Sequence, residues 1–264
     1  SRRRHTRFRN VTGVQTCALP ILTGGNSGIG LGFGRGLAAH GANVVIWGTN
    51  ADKNAAATAE LSKVPGAASV VSRVCDVGDQ AQVVAGFAAA VAEFGRIDAV
   101  FVNAGIAGKG IPFHEMPAEE WHRVTRVNLD GAFYTAQEAC KHMMTAGGGS
   151  IVFTTSGSAL YGAARSQHYG GSKAALLSIS KAIAVEFARH GIRSNCILPG
   201  WIESDMTHRQ LESDAFKAKV LPRVPMRRWG EADDFSGLAV YLASDLSRYH
   251  SGDCITIDGA YHSF

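Results

Sequence analysis

Short apolar runs alternate along this chain with longer stretches in which apolar residues recur at helical spacing. Residues 43–47, 69–74, 99–102, 150–155, 192–198 and 254–257 read as strands, and 52–61, 80–94, 119–144, 168–190 and 232–243 as helices. Pro117 is a start signal ahead of the 119–144 helix, and Gly191 a stop signal after the 168–190 helix. This alternation with short connections predicts an α/β fold: one doubly wound, mostly parallel sheet of about seven strands, with helices on both faces. Right-handed crossovers then fix the topology. No internal repeat and no second domain is visible.

The longest stretch without a clear period runs from Gly200 to about Gly230. It carries Met206, Leu211, Phe216, Val220 and Leu221 at roughly helical spacing. A packed pair of surface helices would explain that spacing. A mobile cover over a substrate site is the alternative, since an irregular connection of this length inside a compact domain is usually functional, and it is the reading that the family resemblance given below favours.

The first residues, 1–21, look foreign to the rest. Their sequence back-translates onto the two fixed parts of a sequencing-library adapter, at Ser1–Arg7 and Val11–Ile21, with Phe8-Arg9-Asn10 covering the variable index. A basic targeting arm is the competing reading, since five arginines occur there with no acid. Residues 1–21 are therefore set aside as a non-native segment, and 22–264 are read as one domain. The formal charge of +4, from 26 basic against 22 acidic side chains, becomes 21 against 22 once those arginines are removed. No basic surface for nucleic acid is left. The substitution also puts Pro20 where a central strand should run. Proline lacks a ladder donor, so a strained or frayed first strand is expected.

No run of eighteen apolar residues occurs, so no membrane span is expected. Cys75, Cys140, Cys196 and Cys254 are widely spaced and lack a Cys-x-x-Cys pair. They read as reduced core thiols of a cytoplasmic protein. The histidines show no metal-ligand spacing, and no metal is assigned.

Candidate chemistry lies in an ordered set of motifs. Thr23-Gly24-Gly25-Asn26-Ser27-Gly28-Ile29-Gly30 reads as a phosphate-cradling turn opening a helix, whose N-terminus favours negative charge. Asn103-Ala104-Gly105 follows a strand, Asn128 sits within the 119–144 helix, and Ser156 follows another strand. Tyr169 and Lys173 are four apart and share one helical face. Pro199-Gly200 follows the 192–198 strand. Each element alone is common, but their joint order is not.

Together these residues resemble the short-chain dehydrogenase/reductase family, over nearly everything from Leu22 onward. The resemblance implies a Rossmann-like fold and hydride transfer between a nicotinamide cofactor and a carbonyl or secondary alcohol. It implies Tyr169 as general acid or base, Lys173 beside it, Ser156 polarising the substrate oxygen, and Asn128 holding a water of a proton relay. The cofactor would be held by Thr23, Gly24, Asn26, Ser27, Gly28, Ile29 and Gly30, with Asp76 on the adenine and Val77 lending its backbone. The adenine ribose would meet Asn103, Ala104 and Gly105. Pro199, Gly200, Ile202 and Ser204 would meet the nicotinamide side, and Tyr169 and Lys173 its ribose. An acid at the end of the second strand would select NAD. Thr49 and Asn50 stand there instead, which leans the choice to NADP and leaves NAD use open. A cation next to Tyr169 is expected to favour its phenolate. Ser158 and Tyr161 lack the offset to a lysine.

The substrate is open between a 3-oxoacyl thioester and a sugar, polyol or small ketone. Lys109, Arg123, Arg126 and Lys141 would form the basic patch an acidic carrier protein needs. His114, Gln167, His168 and Trp201 would be the polar pocket of a polyol enzyme. A non-catalytic dinucleotide-binding sensor or scaffold is the alternative on the same fold. By resemblance the chain forms a homotetramer.

Overall fold

A computed structural model describes residues 18–263, and residues 1–17, most of the foreign segment, lie outside the described residues. Seven parallel strands form one sheet in the order β3-β2-β1-β4-β5-β6-β7. They are β1 (Pro20–Thr23), β2 (Val44–Gly48), β3 (Val70–Val74), β4 (Ala99–Val102), β5 (Gly149–Thr154), β6 (Ile192–Pro199) and β7 (Cys254–Ile257). The connecting helices are α1 (Gly28–Ala39), α2 (Ala51–Leu61), α3 (Gln80–Phe94), α4 (Ala118–Thr125), α5 (Gly131–Ala146) and α6 (Gln167–Glu186). After β6 come α7 (His208–Leu211), α8 (Asp214–Val220) and α9 (Ser236–Ala243).

Because strand side chains alternate between faces, each central strand feeds two cores. Ile21, Val45, Trp47, Val100, Ile151 and Phe153 pack with α3, α5 and α6 through Phe87, Ala136, Met143 and Leu176. Leu22, Val44, Ile46, Phe101 and Val152 point the other way, onto Phe33 and Leu37 of α1, Leu61 of α2 and Leu242 of α9.

The expected fraying of the first strand does not occur. Ile21 and Leu22 are fully buried and paired in register with β2 and β4. Pro20 is the first residue of β1, where a missing donor disrupts no inner ladder position. Around it the backbone is secured from both sides: Asn43 donates to the Ala18 carbonyl, Asp98 to the Leu19 carbonyl, and the Leu19 amide to the Asp98 carboxylate.

The 119–144 helix is interrupted. Between α4 and α5 the chain makes a π-helical turn over Arg126–Asp130 with Asn128 buried at its centre. Such turns insert one residue into a helix and re-aim its side chains. The 200–230 stretch contains the packed helix pair rather than irregular chain. In it Leu211, Val220, Val224 and Trp229 form a small core of their own, against which Trp201 and Phe216 pack edge to face at 4.9 Å.

All four cysteines of the described residues are free. Cys196 and Cys254 are register partners on β6 and β7. The neighbouring Cys196 thiol lowers the Cys254 thiol, while burial lifts Cys75 and Cys140 to about 11. Iodoacetamide at neutral pH should therefore label Cys254 ahead of Cys75, Cys140 and Cys196. Mass mapping that found another of these labelled first would contradict that assignment.

Candidate active site

The carboxyl ends of β1, β2, β4, β5 and β6 open onto one cavity of about 620 Å³. The turn after β1 forms its floor. Gly24 and Gly28 hold φ of +62° and +50°, which L side chains rarely adopt. A Cβ on Gly30 would stand 2.2 Å from the Gly24 carbonyl oxygen, so turn and helix can close only on glycine. Ser27, Gly28 and Ile29 bring the N-terminus of α1 to the cavity wall. Its unpaired amides and glycine backbone fit a pyrophosphate.

Of the residues expected to hold the cofactor, Thr23 and Gly30 stand behind the cavity wall; the rest line it. Thr23 is fully buried and acts as a clip: its Oγ1 donates to the Phe101 carbonyl and accepts from the amides of Asn103 and Ala104. Asn103 is committed in the same way. Its Nδ2 donates to the carbonyls of Thr23 and Gly24, and its Oδ1 accepts from Thr154. Together the two side chains fix the ends of β1, β4 and β5 relative to one another.

Asp76 lines the cavity but is already engaged. Its Oδ1 accepts from the Gly78 amide at 2.9 Å, and its Oδ2 pairs with Arg126 at 3.0 Å. The cap of α3 is Asp79, not Asp76. Just past the end of β2, the Asn50 side-chain Oδ1 accepts from the Lys53 amide and caps α2, and Thr49 and Asn50 line the cavity. Lys53 reaches the same wall and pairs across the mouth with Asp205 at 2.6 Å. Neither Lys53 nor Asp205 was singled out in the sequence. A lysine one turn into α2 carries no motif; only the fold turns it toward β2's end.

Ser156, Tyr169 and Lys173 converge on the inner end of the cavity. Ser156 is in extended conformation just past β5 and hydrogen-bonds Tyr169, which stands in the first turn of α6. Lys173 is buried, donates to the Thr154 carbonyl at 2.9 Å, and has its Nζ 5.8 Å from the Tyr169 ring centroid. The expected lowering of the tyrosine by this cation is not what the geometry gives. Burial raises the Tyr169 hydroxyl and outweighs the Ser156 hydrogen bond, and burial pulls Lys173 down to about 8. Both groups pay for lost solvent, so each is shifted toward its neutral form. Asn128 is fully buried, and its amide is engaged at both ends, accepting from the Ile106 amide and donating to its carbonyl. A Cβ on Gly105 would be 3.3 Å from both Asn128 Oδ1 and Lys173 Nζ, so the two meet beneath that glycine.

Three of the four cations considered for a carrier-binding patch are neutralised within the chain. Arg123 pairs with Glu120, Arg126 with Asp76 and Lys141 with Glu138. The Arg123 guanidinium holds the Glu120 carboxyl down to about 2. The four polar-pocket candidates do not line the cavity. His114 is exposed; His168 is fully buried, 3.4 Å from Glu120 and against Gly108; Trp201 belongs to the core of the helix pair. Tyr161 is exposed and stacks on His262, away from Lys173.

A family model described as Enoyl-(Acyl carrier protein) reductase matches residues 24–262. A short-chain type dehydrogenase/reductase from Mycobacterium marinum superposes with a TM-score of 0.87 at 34% identity, covering 94% of this chain and 96% of that one. A gluconate 5-dehydrogenase from Burkholderia cenocepacia, solved with NADP and tartrate, does so with a TM-score of 0.88 at 33% identity, over 94% and 96%. In sequence, an NAD(P)-dependent L-rhamnose 1-dehydrogenase of Azotobacter vinelandii is 37% identical over 90% of this chain and 94% of its own length. A 3-oxoacyl-[acyl-carrier-protein] reductase of Chlamydia muridarum is 36% identical over 90% and 95%. This chain belongs to the short-chain dehydrogenase/reductase family.

Proposed function

We propose that the protein is an NAD(P)-dependent oxidoreductase of the carbonyl and secondary-alcohol type, with Tyr169 as its general acid and base. The observation that carries this is the convergence of Ser156, Tyr169 and Lys173 on the inner end of the same cavity whose floor is the glycine turn. The bound nicotinamide supplies or takes up the hydride. Tyr169 gives its hydroxyl proton to the substrate oxygen in reduction and takes it back in oxidation. Ser156 hydrogen-bonds that oxygen and sets it against Tyr169. Lys173 sits within reach of the ring to stabilise the phenolate each time the proton leaves. Asn128 positions Ile106 and Gly105 over the lysine. Met206 and Thr207, which lead into the α7–α8 pair, stand at the cavity wall and border the substrate end.

NADP is favoured over NAD. No acid at the end of β2 repels a 2′-phosphate, and Lys53, which pairs with Asp205 at 2.6 Å, stands beside Thr49 and Asn50 as a cation for a phosphate to recruit from that pair. The NADP bound by the Burkholderia relative and the NAD(P) of the Azotobacter one fit the same reading. Fluorescence titration of the protein with NADPH and NADH in parallel tests it. NADPH should bind more tightly, and Lys53→Gln should narrow the difference. Saturable binding of neither nucleotide by the folded protein would overturn the reading. The cytoplasm fits the free thiols, and assembly as a homotetramer through α5, α6 and the C-terminal segment completes the proposal.

A further inference from the structure

The C-terminal segment after β7 places an oriented imidazole beside the catalytic serine. Asp258 is the fixed point. Its side chain is only 6% exposed and accepts three hydrogen bonds: Oδ1 from the Ala260 amide at 2.9 Å, and Oδ2 from the His262 amide at 2.8 Å and from His262 Nδ1 at 2.7 Å. A carboxylate on Nδ1 fixes the tautomer and turns the other nitrogen, Nε2, outward. Tyr161 stacks flat on the ring, 4.8 Å between centroids and 5° between planes, and so locks its plane.

Nε2 points at the chain next to Ser156. A Cβ on Gly157 would lie 2.2 Å from Nε2 and 2.5 Å from Cε1, so imidazole and backbone are in contact only because residue 157 is glycine. On its other side Asp258 packs against Gly200, where a Cβ would meet its Cα at 2.7 Å, and Gly200 lines the cavity. The dyad is thus wedged between the loop carrying Ser156 and the end of β6, next to the cavity lining rather than in it. The His262 side chain keeps 15% exposure, an accessible edge on an otherwise fixed ring. None of its partners neutralises Nε2.

We propose that His262 is a specificity-determining residue for a polyhydroxylated carbonyl substrate, an open-chain or cyclic sugar or its acid, within the oxidoreductase reading above. A carbonyl oxygen held by Ser156 and Tyr169 directs the neighbouring carbons along residues 156–158. There Nε2 accepts from a hydroxyl next to the reacting carbon. The flat Tyr161–His262 pair offers a face for the carbon skeleton. An acyl thioester has no hydroxyl at that position and gains nothing from the dyad.

The test compares two four-carbon ketones, erythrulose and 2-butanone, reduced by wild type, His262→Ala, His262→Gln and Gly157→Ala. Wild type should prefer erythrulose. In His262→Ala the ratio of the two kcat/KM values should fall roughly tenfold, the size of one lost hydrogen bond, with KM for erythrulose carrying the change. His262→Gln should restore part of it. Gly157→Ala, which displaces the ring without removing it, should lower the same ratio. A ratio that stays constant, or equal losses on both ketones, overturns the proposal. Wild type that reduces neither ketone with either nucleotide would sink the oxidoreductase reading. The histidine is then judged by ¹⁵N spectra of the imidazoles: a His262 Nε2 shift on adding erythrulose but not 2-butanone supports the assignment, and its absence overturns it.

Discussion

Tyr169→Phe should lower turnover by about 10³-fold or more while leaving nucleotide binding within about twofold of wild type. The asymmetry follows from what the substitution removes. Only the hydroxyl is lost; the ring, its place in the first turn of α6 and its contact with Lys173 remain. The cradle proposed for the nucleotide consists chiefly of Gly24, Gly28 and the α1 N-terminus, which the ring does not support. Proton transfer by contrast has no substitute nearby. Ser156 lacks the acidity, and Tyr161 faces His262. Steady-state kinetics in both directions, paired with the fluorescence titration, check the result. Turnover near wild type would remove Tyr169 from its role, and loss of nucleotide binding in step with turnover would show that the ring has a structural task instead. Because burial raises the tyrosine in this structure, the oxidation rate of wild type should climb with pH through the alkaline range, as the hydroxyl becomes easier to deprotonate.

The second large effect falls on stability. Gly32→Ala should cost about 3 kcal/mol and lower Tm by roughly 10 °C, although alanine is the better helix former. Gly32 lies on the face of α1 that meets the turn before α9. A Cβ there would stand 1.9 Å from the Ala232 carbonyl oxygen and 2.5 Å from its carbon. The obstacle is backbone on both sides, so no side-chain rotation relieves it. Helix α1 would have to move off residues 232–236, and with it the hydrogen bond from Ser236 Oγ to the Gly32 carbonyl at 2.8 Å. Since the N-terminus of α1 is part of the site floor, nucleotide affinity should weaken as well. Gly237→Ala is the control: a Cβ there has open space, and stability should hold or rise by up to about 1 kcal/mol. Equal melting temperatures for both variants, measured by calorimetry, would show that the close approach at Gly32 is accommodated.

The relatives span sugar dehydrogenases and an acyl-carrier-protein reductase, and the proposal for this chain leans to the sugar side. A patch for an acidic carrier needs unpaired cations, and Arg123, Arg126 and Lys141 are each engaged by a carboxylate of the chain itself. A sequence shows that these cations exist. It does not show that Glu120 is 11 residues from Lys109 yet bonded to its amide, or that Asp76 lies against an arginine 50 positions away.

The sequence by itself determined the sheet and singled out the residues proposed here as the reacting groups. Alternation of buried strands and periodic helices is a local pattern, and it yielded the architecture because parallel strands need crossover helices on both faces. Ser156, Tyr169 and Lys173 were legible because their offsets are set by one strand end and one helical turn, again local geometry. Pro20 was misjudged because its chemistry argues against a central strand, whereas its place, the first residue of that strand, is decided by how β1 pairs with β2 and β4. The tertiary structure alone decided the rest. It bent the α4–α5 helix through a π-turn so that Asn128 bonds Ile106, brought Lys53 across the mouth to Asp205, and buried Tyr169 and Lys173 together so that desolvation outweighs their attraction. It also laid His262 against Gly157, over a hundred positions earlier in the chain. Each of these depends on which surfaces meet after folding, and such meetings between distant residues leave no periodic trace in the order of residues.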